Sequence, residues 1–109
     1  MLNKKNRISN RKLIEKTMRK GAQYKNKYFV FRFLPSKEAD LRCAVIVSKK
    51  IAPKAVERNY LRRRVNEAVR LNKNLVKNGI LTVIIAKYAL KTADYKNLNQ
   101  GIVDFLNQQ

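Results

Sequence analysis

Three segments of the chain carry the hydrophobic patterns of β-strands. Residues 28–34 (YFVFRFL) alternate strictly, which predicts a strand with three phenylalanines on its core face. The opposite face of that strand is formed by Tyr28, Val30 and Arg32. Residues 41–48 (LRCAVIVS) predict a second strand, joined to the first as a hairpin by a polar turn. Residues 80–86 (ILTVIIA) form a continuous apolar run, which is typical of a central strand buried on both faces.

Two shorter segments near the ends of the chain have the period of amphipathic helices. The first is predicted to begin after Ser9 as its N-cap and to end at Gly21. Its apolar face consists of Leu13, Ile14, Thr17 and Met18. The second is predicted to be capped by Thr92, with Asp94 in its first turn. Its core face consists of Tyr95, Leu98, Ile102 and Phe105.

The longest helical pattern runs from about Ala55 to Val76 and divides into two faces. The apolar face is formed by Leu61, Val65, Ala68 and Leu75, with Val69 and Leu71 at its margins. The opposite face carries Asn59, Arg62, Arg63, Asn66, Arg70 and Lys73. Arg58 and Arg64 stand on the two borders, where an aliphatic stem can cover apolar surface while the guanidinium stays in water. The helix is therefore expected to bury one face and to present a basic face outward.

These elements predict a single α+β domain over residues 1–109, with one sheet of about four strands. A strand, the long helix and a buried strand in succession imply a parallel βαβ crossover, which the general rule makes right-handed. Shorter helices flank this unit at both ends. Residues 1–7, which include several basic side chains, are expected to form a flexible arm.

The charge of the chain narrows its partners to polyanions. It has 26 Lys and Arg residues against 7 Asp and Glu residues, a formal net charge of +19 at pH 7. RNA, DNA and anionic membranes are the candidates. No apolar run approaches the roughly 20 residues of a membrane span, no signal-peptide segment follows Met1, and no helix-turn-helix pair is evident. We therefore expect a cytoplasmic RNA-binding protein, with a membrane-active cation as a weaker alternative.

The basic charge is concentrated around the long helix and the lysines before it, which are Lys49, Lys50 and Lys54. Like charges one turn apart on a helix repel each other by roughly a few tenths of a kcal/mol per pair. A polyanion that covers the face would offset this repulsion. A merely solvated face is the alternative, but the nearly uniform sign and the arginines, which suit phosphate, favour nucleic acid.

The residues of common catalytic sites are missing from the sequence. There is no histidine, the single cysteine is Cys43, and the three glycines are isolated. One cysteine excludes an internal disulfide and a cysteine-based metal site, and its apolar surroundings predict an inert core residue. The seven carboxylates form no local acidic motif for metal ions. We therefore expect no cofactor in the protein itself, and a nucleic-acid-binding partner rather than a self-sufficient nuclease.

The motifs SKKI at 48–51, AVERN at 55–59 and LRRRVNEA at 61–68 resemble the signature of the bacterial ribonuclease P protein subunit family. The apolar IIAK at 84–87 and the terminal amphipathic helix extend the resemblance over nearly the whole chain. It implies an α–β sandwich with a left-handed βαβ crossover. It also implies that the protein binds a catalytic RNA, which holds Mg²⁺ and removes the 5′ leader of precursor tRNA. A small ribosomal-type RNA-binding protein is the alternative, which charge and size fit equally well.

The resemblance also assigns two RNA-binding surfaces. The catalytic RNA is expected to contact the signature helix and the lysines before it, at Lys49, Lys50, Lys54, Arg58, Asn59, Arg62, Arg63, Asn66 and Arg70. Tyr60 and Asn66 stand where the family commonly has a basic residue. A cleft between the first helix and the sheet is expected to bind the single-stranded leader through Arg7, Ile14, Met18, Tyr28, Val30 and Arg32. Aromatic residues of the family are replaced at Ile14, Met18 and Arg32, so we expect charge and apolar contact to outweigh stacking. Inward packing of Ile14 and Met18 is an equal alternative.

Overall fold

A computed structural model describes residues 4–37 and 40–109 of the chain. In chain order the elements are α1 (Arg11–Lys20), β1 (Ala22–Lys25), β2 (Phe29–Pro35), β3 (Arg42–Ile46), α2 (Ala55–Asn72), β4 (Ile80–Ala86) and α3 (Tyr95–Leu106). Short 3-10 turns occur at Lys4–Asn6, Lys73–Leu75 and Tyr88–Thr92. The described part of the chain is therefore α+β, with one four-stranded sheet and three α-helices, in agreement with the predicted class.

The four strands form one sheet in the order β1-β2-β4-β3. Strand β2 is antiparallel to both β1 and β4, whereas β3 and β4 are parallel. The apolar strand β4 thus lies inside the sheet, which confirms its predicted central position. Helix α2 connects two parallel neighbours, which confirms the predicted βαβ crossover. The left-handed course implied by the family resemblance stays a prediction.

The predicted hairpin between residues 28–34 and 41–48 is wrong, because β4 lies between these two strands. Strand β4 buries side chains on both faces, so it takes the inner position beside β2. Strand β2 forms its hairpin with β1, which the sequence patterns did not reveal. The side chains of β1 are mostly exposed at the edge of the sheet, so this strand carries no hydrophobic alternation.

One face of the sheet packs against α2 and α3 and forms the main core. The pairing register aligns Phe31 of β2 with Ile84 of β4 and Val45 of β3, so these side chains share that face. The side chains that α2 buries against it are Leu61, Val65, Ala68 and Val69. Leu71, at the predicted margin of the apolar face, is exposed. Cys43 is buried in this core, and its burial raises the pKa of the thiol to about 12, as expected of an inert residue.

Helix α1 crosses the opposite face of the sheet from one edge to the other. Before the helix, the backbone N–H of Ile8 donates to the carbonyl of Cys43 at 2.8 Å, which ties the chain to the edge formed by β3. After the helix, Gly21 leads into β1 at the other edge. The helix lies over β2 and β4, where Thr17 and Val83 are fully buried. A second, smaller apolar layer therefore lies between α1 and the sheet.

The described part of the predicted flexible arm packs against the sheet. Residues 4–6 form a 3-10 turn, and Arg7 makes a parallel bridge with Cys43. The side-chain amide of the buried Asn6 donates to the carbonyl of Leu41 at 2.7 Å. Residues 4–7 are thus attached to the edge of the sheet at β3, which differs from the expected flexible arm. Residues 1–3 of that arm lie outside the described residues.

Two helix caps differ from the predicted ones. Asn10, not Ser9, caps α1. Its side-chain oxygen accepts a hydrogen bond from the backbone N–H of Lys12 at 2.8 Å. Asp94, not Thr92, caps α3, because Thr92 belongs to the preceding 3-10 turn. Gly21 ends α1 as predicted, since a Cβ atom there would lie only 2.4 Å from a carbonyl oxygen of the last helical turn.

Candidate nucleic-acid interface

Helix α2 turns its basic face away from the sheet. The helix is anchored by four buried apolar residues spaced four, three and one positions apart, so the polar residues between them point outward. Arg63 is exposed, and no partner is found for it in the described part of the chain. Arg62 is half-buried and donates to the side-chain oxygen of Asn59 one turn earlier. Arg63 is therefore the arginine of this face best placed to meet an incoming phosphate.

Arg58 has a structural role that its border position on the helix did not predict. One guanidinium nitrogen of Arg58 donates to the carbonyl of Ala52 at 3.0 Å and to that of Pro53 at 2.7 Å. These carbonyls belong to the loop that enters α2, where Lys54 is the N-cap without a side-chain cap hydrogen bond. Arg58 thus holds the start of the helix, and part of its hydrogen-bonding capacity is used within the protein.

Arg70 is also engaged within the protein. The Nε of Arg70 donates to both carboxylate oxygens of Glu67, at 3.2 and 3.1 Å. The hydrogen bond and positive charge of Arg70 lower the pKa of Glu67 to about 2, and the carboxylate in turn raises the pKa of Arg70. The Glu67 side chain therefore stays ionised at neutral pH and neutralises part of the basic face beside Asn66.

Three exposed lysines continue the basic surface toward the start of α2. Lys49 and Lys50 lie in a turn after β3, where the N–H groups of Ile51 and Ala52 both donate to the Ser48 carbonyl at 3.1 Å. Lys54, the residue that precedes α2, is exposed as well. The predicted lysines are thus accessible to a partner near the N-terminal end of α2.

An open groove of about 790 Å³ runs along the basic face of α2. Its lining consists of Arg7, Asn59, Tyr60, Arg62, Arg63, Arg64, Asn66, Glu67 and Tyr95. The structure therefore places Arg7, which was predicted for the leader cleft, beside the signature helix. Tyr95 was predicted for the core face of α3, but its side chain is partly exposed in this groove. Sequence periodicity could not place either residue here, because both come from outside α2.

The sheet face beneath α1 forms a second surface that is only partly covered. Val30 and Arg32 are half-buried there, aligned in register with Ile85 and Val83 of β4. The Arg32 guanidinium donates to the side-chain oxygen of Gln23 at 3.0 Å. Its Nε is buried without a hydrogen-bond partner in the described structure. The Arg32 side chain as a whole is only half-buried, so its accessible part can still donate to an acceptor from a ligand.

Tyr28 does not lie where strict alternation placed it. It precedes the first residue of β2, and its partly buried ring packs against the main core, on the phenylalanine side. The backbone N–H groups of Tyr28 and Phe29 donate to the side-chain oxygen of Asn26, at 3.1 and 3.0 Å, in the turn before β2. The Lys27 ammonium lies 5.6 Å from the centre of the ring. Alternation fails here because the strand has not yet begun.

Ile14 and Met18 lie on the face of α1 that includes the fully buried Thr17, and both are half-buried. They pack toward the sheet while keeping part of their surface accessible. Both residues therefore contribute to the apolar layer under α1 and also border its open part.

Residues 4–37 and 40–109 contain no group of three or more His, Cys, Asp or Glu side chains that could hold a metal ion. Within the same residues, no helix is long and apolar enough to cross a membrane. The chemistry that the described surfaces offer is therefore charge, hydrogen bonding and aromatic contact.

Comparison with known proteins identifies relatives over nearly the whole chain. The sequence model of the ribonuclease P family matches residues 2–109. The chain is 35% identical over 94 residues to the ribonuclease P protein component of Clostridioides difficile (strain 630), covering 85% of this chain and 82% of the relative. It is 32% identical over 106 residues to that of Clostridium botulinum (strain 657 / Type Ba4), covering 96% and 95% of the two chains.

Solved structures of this family have the same fold. The ribonuclease P protein of Thermotoga maritima superimposes with a TM-score of 0.86 at 26% sequence identity, covering 94% of this chain and 96% of the other. The protein of Staphylococcus aureus superimposes with a TM-score of 0.81 at 25% identity, covering 94% of each chain. The strand order and the helix positions found here are thus shared with experimentally determined structures.

Proposed function

The chain belongs to the ribonuclease P protein family, and we propose that, as the protein component of that endoribonuclease, it binds a catalytic RNA and the 5′ leader of precursor tRNA. In this proposal the RNA holds the Mg²⁺ ions and cleaves the leader, and the protein contributes binding and positioning in the cytoplasm. A ribosomal-type structural protein, the earlier alternative, is not favoured by any feature of the fold or of the relatives.

The observation that carries the proposal is the outward basic face of α2. Arg63 is exposed on it without a partner in the described structure, and Arg62 lies one position before. Lys54 and the turn lysines extend the same charge toward the start of the helix. Arginine on a rigid helix meets phosphate oxygens with fixed geometry, and each neutralised phosphate releases counterions. This surface would therefore hold the folded RNA mainly through its backbone.

The second surface, beneath α1, suits a single strand. The open part of the sheet offers the apolar side chains of Val30 and Ile85 beside the half-buried side chain of Arg32. An extended leader could lay bases on the apolar surface while a phosphate or base oxygen accepts from Arg32. Contacts to base faces and to phosphate are available with every nucleotide, so binding would not depend strongly on leader sequence.

The protein is expected to be inactive without RNA. The chain has no histidine, and the general bases and nucleophiles of protein nucleases usually depend on histidine or on clustered carboxylates. Binding to leader and RNA together would orient the precursor relative to the catalytic RNA.

Reconstitution tests the proposal. Purified protein, the cognate ribonuclease P RNA and a 5′-labelled precursor tRNA are combined at a low Mg²⁺ concentration, and released leader is measured. We expect cleavage with RNA and protein together, weaker cleavage with RNA alone, and none with protein alone. Magnesium-dependent cleavage by RNA-free protein, or no stimulation of the RNA by the protein, would overturn the proposal.

A further inference from the structure

Two tyrosines line the basic groove of α2, and neither ring is buried in the core. Tyr60 is 55% exposed and Tyr95 is 39% exposed, although both are large and partly apolar. Tyr60 stands in α2, and Tyr95 is the first residue of α3. Exposed aromatic rings beside arginines are typical of binding surfaces rather than of a solvated helix face.

Arg64 connects the two helices that carry these rings. Its guanidinium carbon lies 5.6 Å from the centre of the Tyr60 ring, within the range of a cation–π contact. The same side chain donates to the carbonyl of Ala93, two residues before Tyr95, at 3.4 Å. Arg64 thereby limits the motion of the Tyr60 ring and ties α2 to the segment that positions Tyr95.

The charge around the rings indicates an anionic occupant. Four arginines line the groove, namely Arg7, Arg62, Arg63 and Arg64. Glu67 is the acidic residue in this lining, and its carboxylate is bound by Arg70. The groove therefore combines aromatic faces with a positive field, which together match the base and the phosphate of a nucleotide.

We propose that the groove holds an unpaired nucleotide of the RNA bound along α2, with its base stacked on Tyr60. Tyr95 forms a second wall of the base site, and Arg63 meets the flanking phosphate. A nucleotide inside a duplex has both faces of its base covered by stacked neighbours, so the site selects a bulged or looped nucleotide. The identity of that RNA as the catalytic subunit rests on the proposed function.

Fluorescence provides a direct test, because the chain has no tryptophan. Tyr60→Trp places a single indole in the groove, and the cognate ribonuclease P RNA is the probe. The matched control is Tyr88→Trp, because Tyr88 is 68% exposed but does not line the groove. Like Tyr60, Tyr88 has a cation beside its ring, since the Lys91 ammonium lies 6.0 Å from the ring centre. We expect saturable quenching of Tyr60→Trp and little change in Tyr88→Trp. RNA binding without a difference between the two variants would overturn the stacking site.

Affinity measurements separate this proposal from the proposed function. Tyr60→Ala is expected to weaken binding of the cognate RNA by about tenfold, because a stacking contact is lost. The salt dependence of binding should stay unchanged, because the phosphate contacts are kept. Tyr60→Phe keeps the ring and should bind as the wild type does. If Arg63→Ala weakens binding but Tyr60→Ala does not, the nucleotide site is wrong and the basic interface stands. If neither variant changes binding, the RNA interface proposed for α2 fails as well.

Discussion

The ring of Phe31 in β2 lies parallel to the ring of Phe105 in α3, with the ring centres 4.1 Å apart and an angle of 6° between their planes. Both side chains are fully buried. Phe29 and Tyr24 surround the stack, with ring centres 5.5 and 5.9 Å from that of Phe31. The C-terminal helix is thus joined to the sheet by a continuous aromatic cluster.

Phe31→Ala is expected to lower the free energy of unfolding by about 3–5 kcal/mol, because the cavity lies among rings that cannot collapse into it. Urea denaturation followed by far-UV circular dichroism measures the change. Tyr88→Ala removes an exposed ring and should change the stability by less than about 0.5 kcal/mol. Equal stabilities of Phe31→Ala and the wild type would contradict the packing described here.

Arg58→Ala is expected to destabilise the protein by about 1–2 kcal/mol. The two carbonyls of Ala52 and Pro53, at the entry of α2, lose their common donor. Thermal melts of the RNA-free protein measure this effect. Arg63→Ala is the matched control, because Arg63 lies in the same helix but has no partner in the described structure. This variant should melt at the same temperature as the wild type. A melting temperature lowered equally in both variants would mean that Arg58 has no special structural role.

Binding of the cognate RNA is expected to weaken steeply with salt. If α2 and the preceding lysines neutralise about five phosphates, the logarithm of the binding constant should fall against the logarithm of salt concentration with a slope on the order of −3 to −5. Arg63→Ala should make the slope shallower by about one. Filter-binding titrations at several KCl concentrations measure it. A slope unchanged by this substitution would show that Arg63 does not contact phosphate.

Glu67 is expected to titrate near pH 2, because Arg70 stabilises its ionised form. Its contribution to stability is therefore present above the ordinary carboxyl pKa and is lost as the pH falls toward 2. Carboxyl-carbon chemical shifts followed by NMR in a pH titration measure this pKa. In Arg70→Ala the pKa of Glu67 should rise toward 4.5, its unperturbed value, whereas Arg62→Ala should leave it low. A Glu67 pKa that is unaffected by the loss of Arg70 would refute the pair.

Arg32→Met is expected to weaken binding of precursor tRNA to the assembled holoenzyme by about tenfold, because the leader loses a guanidinium donor while most of the aliphatic stem is retained. Binding of mature tRNA, which lacks the leader, should be unchanged. Paired affinity measurements on the two RNAs provide the test. Gln23→Ala, which removes the side-chain acceptor of Arg32, is the control and should retain precursor binding. Equal losses for both RNAs would place Arg32 outside the leader site.

The sequence by itself determined the elements with a long amphipathic pattern or a continuous apolar run. Helix α2 has its predicted start and its predicted buried side, and β4 covers the predicted residues 80–86. The proposal of a nucleic-acid partner also rests on the sequence, because net charge and the spacing of arginines on a helix do not depend on tertiary contacts. The signature motifs then identified the family that the comparisons support.

Only the tertiary structure decided the strand order and the partners of individual side chains. Hydrophobic alternation shows which face of a strand is buried, but it does not show which strand lies beside it, so β4 displaced the predicted hairpin partner of β2. The same limit applies to Arg58, whose carbonyl partners lie in the entry loop, and to Tyr95, which joins the groove from α3. Sequence patterns describe one element at a time, whereas these contacts arise where separate elements meet, and their geometry is set by packing of the whole core.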